Sequence, residues 1–145
     1  MVRALVDTGA VVALVNRADR HHAAAVEWFR AFRGELLTTD AVVTETAYVL
    51  ATSPMHRQAA LLWFERARAA GLLRVEAVED YSELAAIMAR YASMPCDFAD
   101  ASLIALAERS GVVAIATVDQ RDFSVYRLKG RRRFRLVLGE PRNVR

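Results

Sequence analysis

Four short segments rich in Val, Leu, Ile and Ala recur along the chain, each too short for an ordinary helix and each followed by a stretch of helical spacing. They lie at residues 2–6, 35–38, 72–75 and 112–116. Segments of this length that carry β-branched or apolar residues, and that stop at turn signals, read as buried strands. The intervening stretches place apolar residues three and four apart, with helix boundaries expected at 8–16, 20–32, 41–52, 54–70, 79–91 and 97–109. Asp19 and Asp40 stand where N-caps are expected, Pro54 falls in a first turn, and Gly34, Gly71 and Gly111 follow helix ends. Strands that alternate with helices predict an α/β fold with a mostly parallel sheet covered on both faces. Residues 134–138 are expected to add a fifth strand at the sheet edge.

The length of 145 residues fits a single domain, 1–145, large enough to bury one substantial core. No apolar run reaches the 18–20 residues of a membrane span. The N-terminal run is too short for a signal-peptide core, so a cytoplasmic location is expected. The single cysteine, Cys96, cannot form an internal disulfide and fits a reducing compartment. With no helper His close in sequence, it reads as a buried bystander thiol. The formal net charge is +3, and basic residues cluster late at Arg127, Lys129, Arg131, Arg132, Arg133 and Arg135. A planar guanidinium donates in pairs to phosphate, so Arg131, Arg132 and Arg133 are candidate phosphate contacts; a solvated edge is the plainer alternative.

In open α/β sheets, ligands bind beyond the carboxyl ends of the strands. Asp7 ends the first strand and Asp119 follows the fourth, so the two carboxylates share an edge if those strands are neighbours. Each alone reads equally well as a cap or turn residue. Glu45 sits among Ala41, Val42, Tyr48 and Val49 at helical spacing, an apolar stripe that points it toward the core side. A carboxylate there needs a cation, a hydrogen-bond network or water at the boundary. Asp97 and Asp100 share one face at a helix start, where the dipole favours negative charge. Asp97 can serve as an N-cap; Asp100 lies too far inside for that. Oxygen-only acids from several element ends suit Mg2+, with Mn2+ as a substitute, and such a site suits phosphodiester hydrolysis. Thr8 and Thr117 stand beside Asp7 and Asp119 as supporting hydroxyls.

Other chemistries find less purchase. His21, His22 and His56 form no i, i+4 zinc pair, and no Gly-rich phosphate loop is present. Trp28, Phe29, Phe32, Trp63 and Phe64 recur at helical spacing and read as packing residues rather than base-stacking ones. Trp28, Phe29, Trp63 and Phe64 are also candidates for an apolar dimer contact.

Four stretches in order carry a family resemblance: Val6-Asp7-Thr8-Gly9-Ala10, Thr44-Glu45, Asp97 to Ile104, and Ala116-Thr117-Val118-Asp119 through Phe123. Together they resemble PIN-domain proteins, specifically VapC-like toxins of toxin–antitoxin pairs. The resemblance implies a three-layer α/β/α sandwich and a magnesium-dependent endoribonuclease acting on structured RNA. It implies an acidic quartet of Asp7, Glu45, Asp100 and Asp119, with Asp7, Asp100 and Asp119 as metal ligands. Asp97 matches a further acid and Thr117 the accompanying Ser/Thr. A homodimer and a VapB-like antitoxin partner are implied too. Gly9 departs from the family's common Ser. Two alternatives stay open: a catalytically silent RNA- or protein-binding module, and a phosphatase-like or DNA-directed nuclease.

Overall fold

The computed structural model describes residues 1–138; residues 139–145 of the expected domain lie outside the described part. Five parallel strands form one sheet in the order β3-β2-β1-β4-β5. They are β1 (Arg3–Val6), β2 (Glu35–Thr39), β3 (Leu73–Glu76), β4 (Ala114–Ala116) and β5 (Arg135–Leu136). The helices are α1 (Thr8–Val15), α2 (His22–Ala31), α3 (Asp40–Val49), α4 (Pro54–Ala69), α5 (Tyr81–Arg90), α6 (Phe98–Ser110) and α7 (Gln120–Val125).

The strand order explains the layers. From β1 the chain steps outward through β2 and β3, then returns to lay β4 on the other side of β1. Parallel crossovers are right-handed, so this reversal puts the two groups of helices on opposite faces. The helix packing follows these groups, with α1 on α2, α3 and α4 and α5 on α6, and α3 also meets α6. The architecture is thus a three-layer α/β/α sandwich. The reversal also opens a crevice beyond the carboxyl ends of β1 and β4, the usual ligand position in such sheets. Register carries the chain into it: Val6 pairs with Ala116, and the N–H of Asp7 donates to the Ala116 carbonyl at 3.0 Å.

Helix α6 is buried from Ala99 to Ala107, as a helix enclosed by the sheet, α5 and α3 must be. It ends at Gly111, whose left-handed φ of 75° closes the last turn. The expected elements differ from the observed ones mainly at their starts. Thr39, not Asp40, caps α3, its Oγ1 accepting from Val42 N–H, while Asp40 accepts from the Val78 N–H. Asp19 holds the turn before α2 by accepting from the His21 N–H, and His21 takes the cap position. The short helix α7 and the 3-10 turn at Lys129–Arg131 have no counterpart in the expected elements. The aromatic residues expected as packing are so: Phe29 meets Trp63 at 5.6 Å and Trp63 meets Phe64 at 5.4 Å, tying α2 to α4 within the chain.

Gly9 explains its own departure from the expected Ser. A Cβ at Gly9 would overlap Cγ2 of Val118 as that side chain is placed, so the Val118 methyl takes the space that a side chain on the first turn of α1 would need. We predict that Gly9→Ala destabilises the protein by about 1–3 kcal/mol through overpacking. Adding Val118→Ala should recover most of the loss. Urea denaturation of the two variants checks this; an unaffected Gly9→Ala protein would contradict it.

Candidate active site

The crevice holds a cleft of about 380 Å³ lined by Asp7, Glu45, Asp97, Asp100, Asp119 and Asp122 together with Thr8 and Gly9. Every acid expected from the sequence lines it, and Asp122 joins them. Carboxylate oxygens of Asp100, Asp119 and Asp122 all lie within 4.8 Å of one another.

Each acid is fixed by the element that presents it. Asp7 is the N-cap of α1 and is almost fully buried, at 6% exposure. Its Oδ1 accepts from the Thr8 N–H at 2.7 Å and its Oδ2 from the Thr117 hydroxyl at 2.8 Å. That hydroxyl accepts in turn from the Asp119 N–H at 3.0 Å, so Thr117 links the ends of β1 and β4. Asp97 caps α6, its Oδ1 accepting from the Asp100 N–H at 2.8 Å. Asp119 caps α7 in the same way, accepting from the Asp122 N–H at 3.2 Å. The carboxylate of Asp100, 7% exposed, accepts from the Tyr126 hydroxyl at 2.7 Å.

Glu45 reaches the cleft from α3 by a route that differs from the expected one. Ala41 and Val42 of its stripe are buried, but Tyr48 is 80% and Val49 52% exposed. The stripe therefore runs out of the core halfway along the helix, and Glu45 sits at that boundary. One of its oxygens, Oε2, and the Thr8 hydroxyl are buried without a hydrogen-bond partner among the described residues. The Thr8 side chain lies near Glu45 and favours its charged form.

Crowding and burial raise the proton affinity of these groups. Burial lifts Asp7 to about 6 against the opposing Thr117 and Thr8 hydrogen bonds. Burial, followed by repulsion from Asp97 and Asp7, lifts Glu45 to about 7. Burial and then the Asp7 charge lift Asp100 to about 8 against the Tyr126 hydrogen bond. Asp119 is raised by burial and by repulsion from Asp122. Cys96 is buried, and burial raises its thiol pKa, which fits a bystander rather than a nucleophile.

The late cationic residues divide into two groups. Arg127 is engaged internally, its guanidinium donating to the carbonyls of Ser124, Val125 and Tyr126 at the end of α7. Arg131, Arg132 and Arg133 are exposed. Asp122 and Tyr126 are not among the residues that sequence reasoning singles out, although Asp119-x-x-Asp122 repeats the Asp97-x-x-Asp100 capping pattern.

With this arrangement in place, comparison with known proteins gives a class. The PIN domain family model matches residues 4–128, and the chain belongs to the PIN-domain family. Within it the chain is similar to VapC proteins. It is 29% identical over 133 residues to Ribonuclease VapC26 of Mycobacterium tuberculosis, covering 92% of this chain and 98% of that relative. Its fold is similar to the crystal structure of VapC20 from the same species, described as a Sarcin-Ricin loop cleaving toxin. The TM-score is 0.71 at 23% identity, over 81% of this chain and 91% of that one.

The raised values set a pH dependence. A carboxyl group whose pKa is higher folded than unfolded binds its proton more tightly in the native state, so its proton-linked stability is greatest at low pH and is lost as pH rises through the folded value. For Asp7, Glu45 and Asp100 that loss runs from above the ordinary carboxylate range up to about 8. We predict that metal-free protein melts at progressively lower temperature between pH 5 and 8. Asp100→Asn keeps the acceptor for Tyr126 and removes the charge. It should flatten the slope and melt no lower than the parent at pH 8. A lower melting temperature for Asp100→Asn at pH 8 would show that the charged carboxylate is structural.

Proposed function

We propose that this protein is a divalent-metal-dependent endoribonuclease, the toxin of a VapBC-like pair, cleaving structured RNA by hydrolysis. The observation that carries the reading is the convergence of Asp100, Asp119 and Asp122 beside the buried Asp7 in a chain of the PIN-domain family. The relatives' names, a ribonuclease and a Sarcin-Ricin loop cleaving toxin, support the same reading.

The residues fit Mg2+ or Mn2+. All donors are carboxylate or hydroxyl oxygens, the preference of a hard cation, and the buried Glu45 oxygen that has no hydrogen-bond partner among the described residues supports a cation there. In this reading Asp100 and Asp119 hold the ion, with Asp7 from the expected set and Asp122 as the further acid of the cluster. When bound, such an ion supplies Lewis-acid charge to a phosphodiester and makes water a better nucleophile at neutral pH. Thr117 and the Thr8 N–H keep Asp7 oriented. Glu45, with a proton affinity near neutrality and an unpartnered oxygen, is suited to receive the proton given up by attacking water. Asp97 holds the first turn of α6, and thereby the backbone of Asp100, in place.

The exposed Arg131, Arg132 and Arg133 are proposed to hold RNA phosphates outside the acidic cleft. A homodimer, a VapB-like antitoxin and a cytoplasmic location complete the proposal. No helix among the described residues is long and apolar enough to cross a membrane. Trp28, Phe29 and Trp63 are largely committed to packing within the chain, so any dimer contact draws more on exposed apolar side chains such as Tyr48, Tyr81 and Phe98.

The test is cleavage of structured RNA, with a matched DNA hairpin as the competing substrate. We expect cleavage of RNA with Mg2+ or Mn2+, and its loss in excess chelator and in Asp119→Asn. Full activity in chelator would overturn the metal reading; cleavage confined to DNA would overturn the ribonuclease reading. Replacing Arg131, Arg132 and Arg133 together by Ala should raise KM with little change in kcat. It should also reduce the salt slope of binding by about 0.7–0.9 for each phosphate that the variant no longer neutralises. An unchanged salt slope would assign the three residues to a solvated edge or a protein contact.

A further inference from the structure

We propose that Tyr126 is a positioning residue for the cleft: its hydroxyl holds one oxygen of Asp100, so that the other is presented to the metal beside Asp119 and Asp122. The inference rests on the metal-dependent reading above and extends it to a residue outside the acidic set.

The geometry comes from one short helix. Asp119 caps the start of α7, Asp122 lies in its first turn, and Tyr126 caps its end, with the Tyr126 N–H donating to the Asp122 carbonyl at 3.1 Å. The element that presents two acids of the cluster therefore also reaches across to the third, Asp100 on α6, at 2.7 Å. Tyr126 is fully buried, and its ring meets Phe123 edge-on at 5.1 Å and Tyr91 at 5.0 Å. Packing thus sets the position of the hydroxyl, and the carboxylate conforms to it. A phenol has one O–H to donate, so it can fix Oδ2 and leave Oδ1 for another partner. Carboxylates that bind metals are commonly held in this way by outer hydrogen bonds.

A purely structural role is filled nearby by a different tyrosine. The Tyr91 hydroxyl accepts from the Arg127 N–H at 2.7 Å and donates to the Arg127 carbonyl at 3.0 Å, closing the turn after α7 without touching an acid. Tyr91 is the internal control for the loss of a hydroxyl from the same aromatic cluster.

The test compares Tyr126→Phe and Tyr91→Phe with the parent in two assays, Mg2+ binding by calorimetry and steady-state cleavage of RNA. For Tyr126→Phe we expect the Mg2+ Kd to rise about tenfold and kcat to fall about 10–100-fold. KM for RNA should stay close to the parent value. Tyr91→Phe should lower the melting temperature yet keep the parental Mg2+ Kd. Replacing Tyr126 by 4-aminophenylalanine, which retains a donor, should restore most of the Mg2+ affinity and keeps the proposal testable if Tyr126→Phe folds poorly. Parental Mg2+ Kd and kcat in Tyr126→Phe would overturn the proposal, as would an equal rise in Kd in Tyr91→Phe. A parent protein that takes up no Mg2+ would instead overturn the metal reading itself.

Discussion

Asp7 meets the other acids because β1 and β4 lie side by side, and the remainder of the site depends on that pairing. The two strands are separated by more than a hundred residues in sequence, yet Val6 stands opposite Ala116 and the Asp7 N–H closes the ladder on the Ala116 carbonyl. Thr117 follows immediately and ties the two strand ends together through its hydroxyl, accepting from Asp119 and donating to Asp7. The core supports this: β4 is Ala-Ile-Ala and fully buried, and α6, which packs on β2, is buried from Ala99 to Ala107. The absence of a side chain at Gly9 serves the same edge, letting Val118 fill the space between α1 and the β4 loop.

Gathering like charges in one crevice works against stability, and the local structure offsets part of that cost. Asp7, Asp97 and Asp119 are all N-caps, so each accepts a backbone N–H and sits at the positive end of a helix. In the pairs Asp97/Asp100 and Asp119/Asp122 the cap residue receives the N–H of the second acid three positions on, which keeps both carboxylates on one side of the helix start. The compensation is incomplete. Burial still raises the proton affinity of Asp7, Glu45 and Asp100, and Glu45 keeps an oxygen without a hydrogen-bond partner among the described residues. Folding alone has no use for such an excess of buried acid, whereas a cation in the cleft relieves it.

Much of this is legible in the sequence because it rests on local signals. Short apolar segments alternating with helical spacing specify a parallel sheet covered on both faces, and an acid directly after a strand falls at the carboxyl edge by construction. Asp100 stands out because it lies too deep in its helix to be a cap. What the sequence hides has a common physical origin. Helix α7 is six residues long, too short to display a period, so only its capping pair marks it and Asp122 does not stand out. The role of Tyr126 depends on a partner 26 residues away and on packing against Tyr91 and Phe123, contacts that no spacing rule contains. The apolar stripe around Glu45 misleads for the converse reason: periodicity says that residues share a face, but not where along the helix that face leaves the core.

The basic segment stands apart from this concentration of acid. A cleft lined by six carboxylates repels a polyanion, so cationic side chains that bind phosphate have to lie outside it. The turn that follows α7 lies outside the cleft. Its first residues are anchored inward, Tyr126 on Asp100 and the backbone of Arg127 on Tyr91, and Lys129 pairs with the nearly buried Glu108 of α6. The chain then turns outward through Arg131, whose φ of 61° reverses its direction, and leaves Arg131, Arg132 and Arg133 exposed. Arg135 stands opposite Ala114 at the start of β4, so these arginines lie toward the amino edge of the sheet, away from the carboxyl edge that carries Asp7 and Asp119. An arginine inside the cleft would neutralise the carboxylates, whereas arginines toward the other edge leave the crowded charge of the acids uncompensated by the protein's own cations.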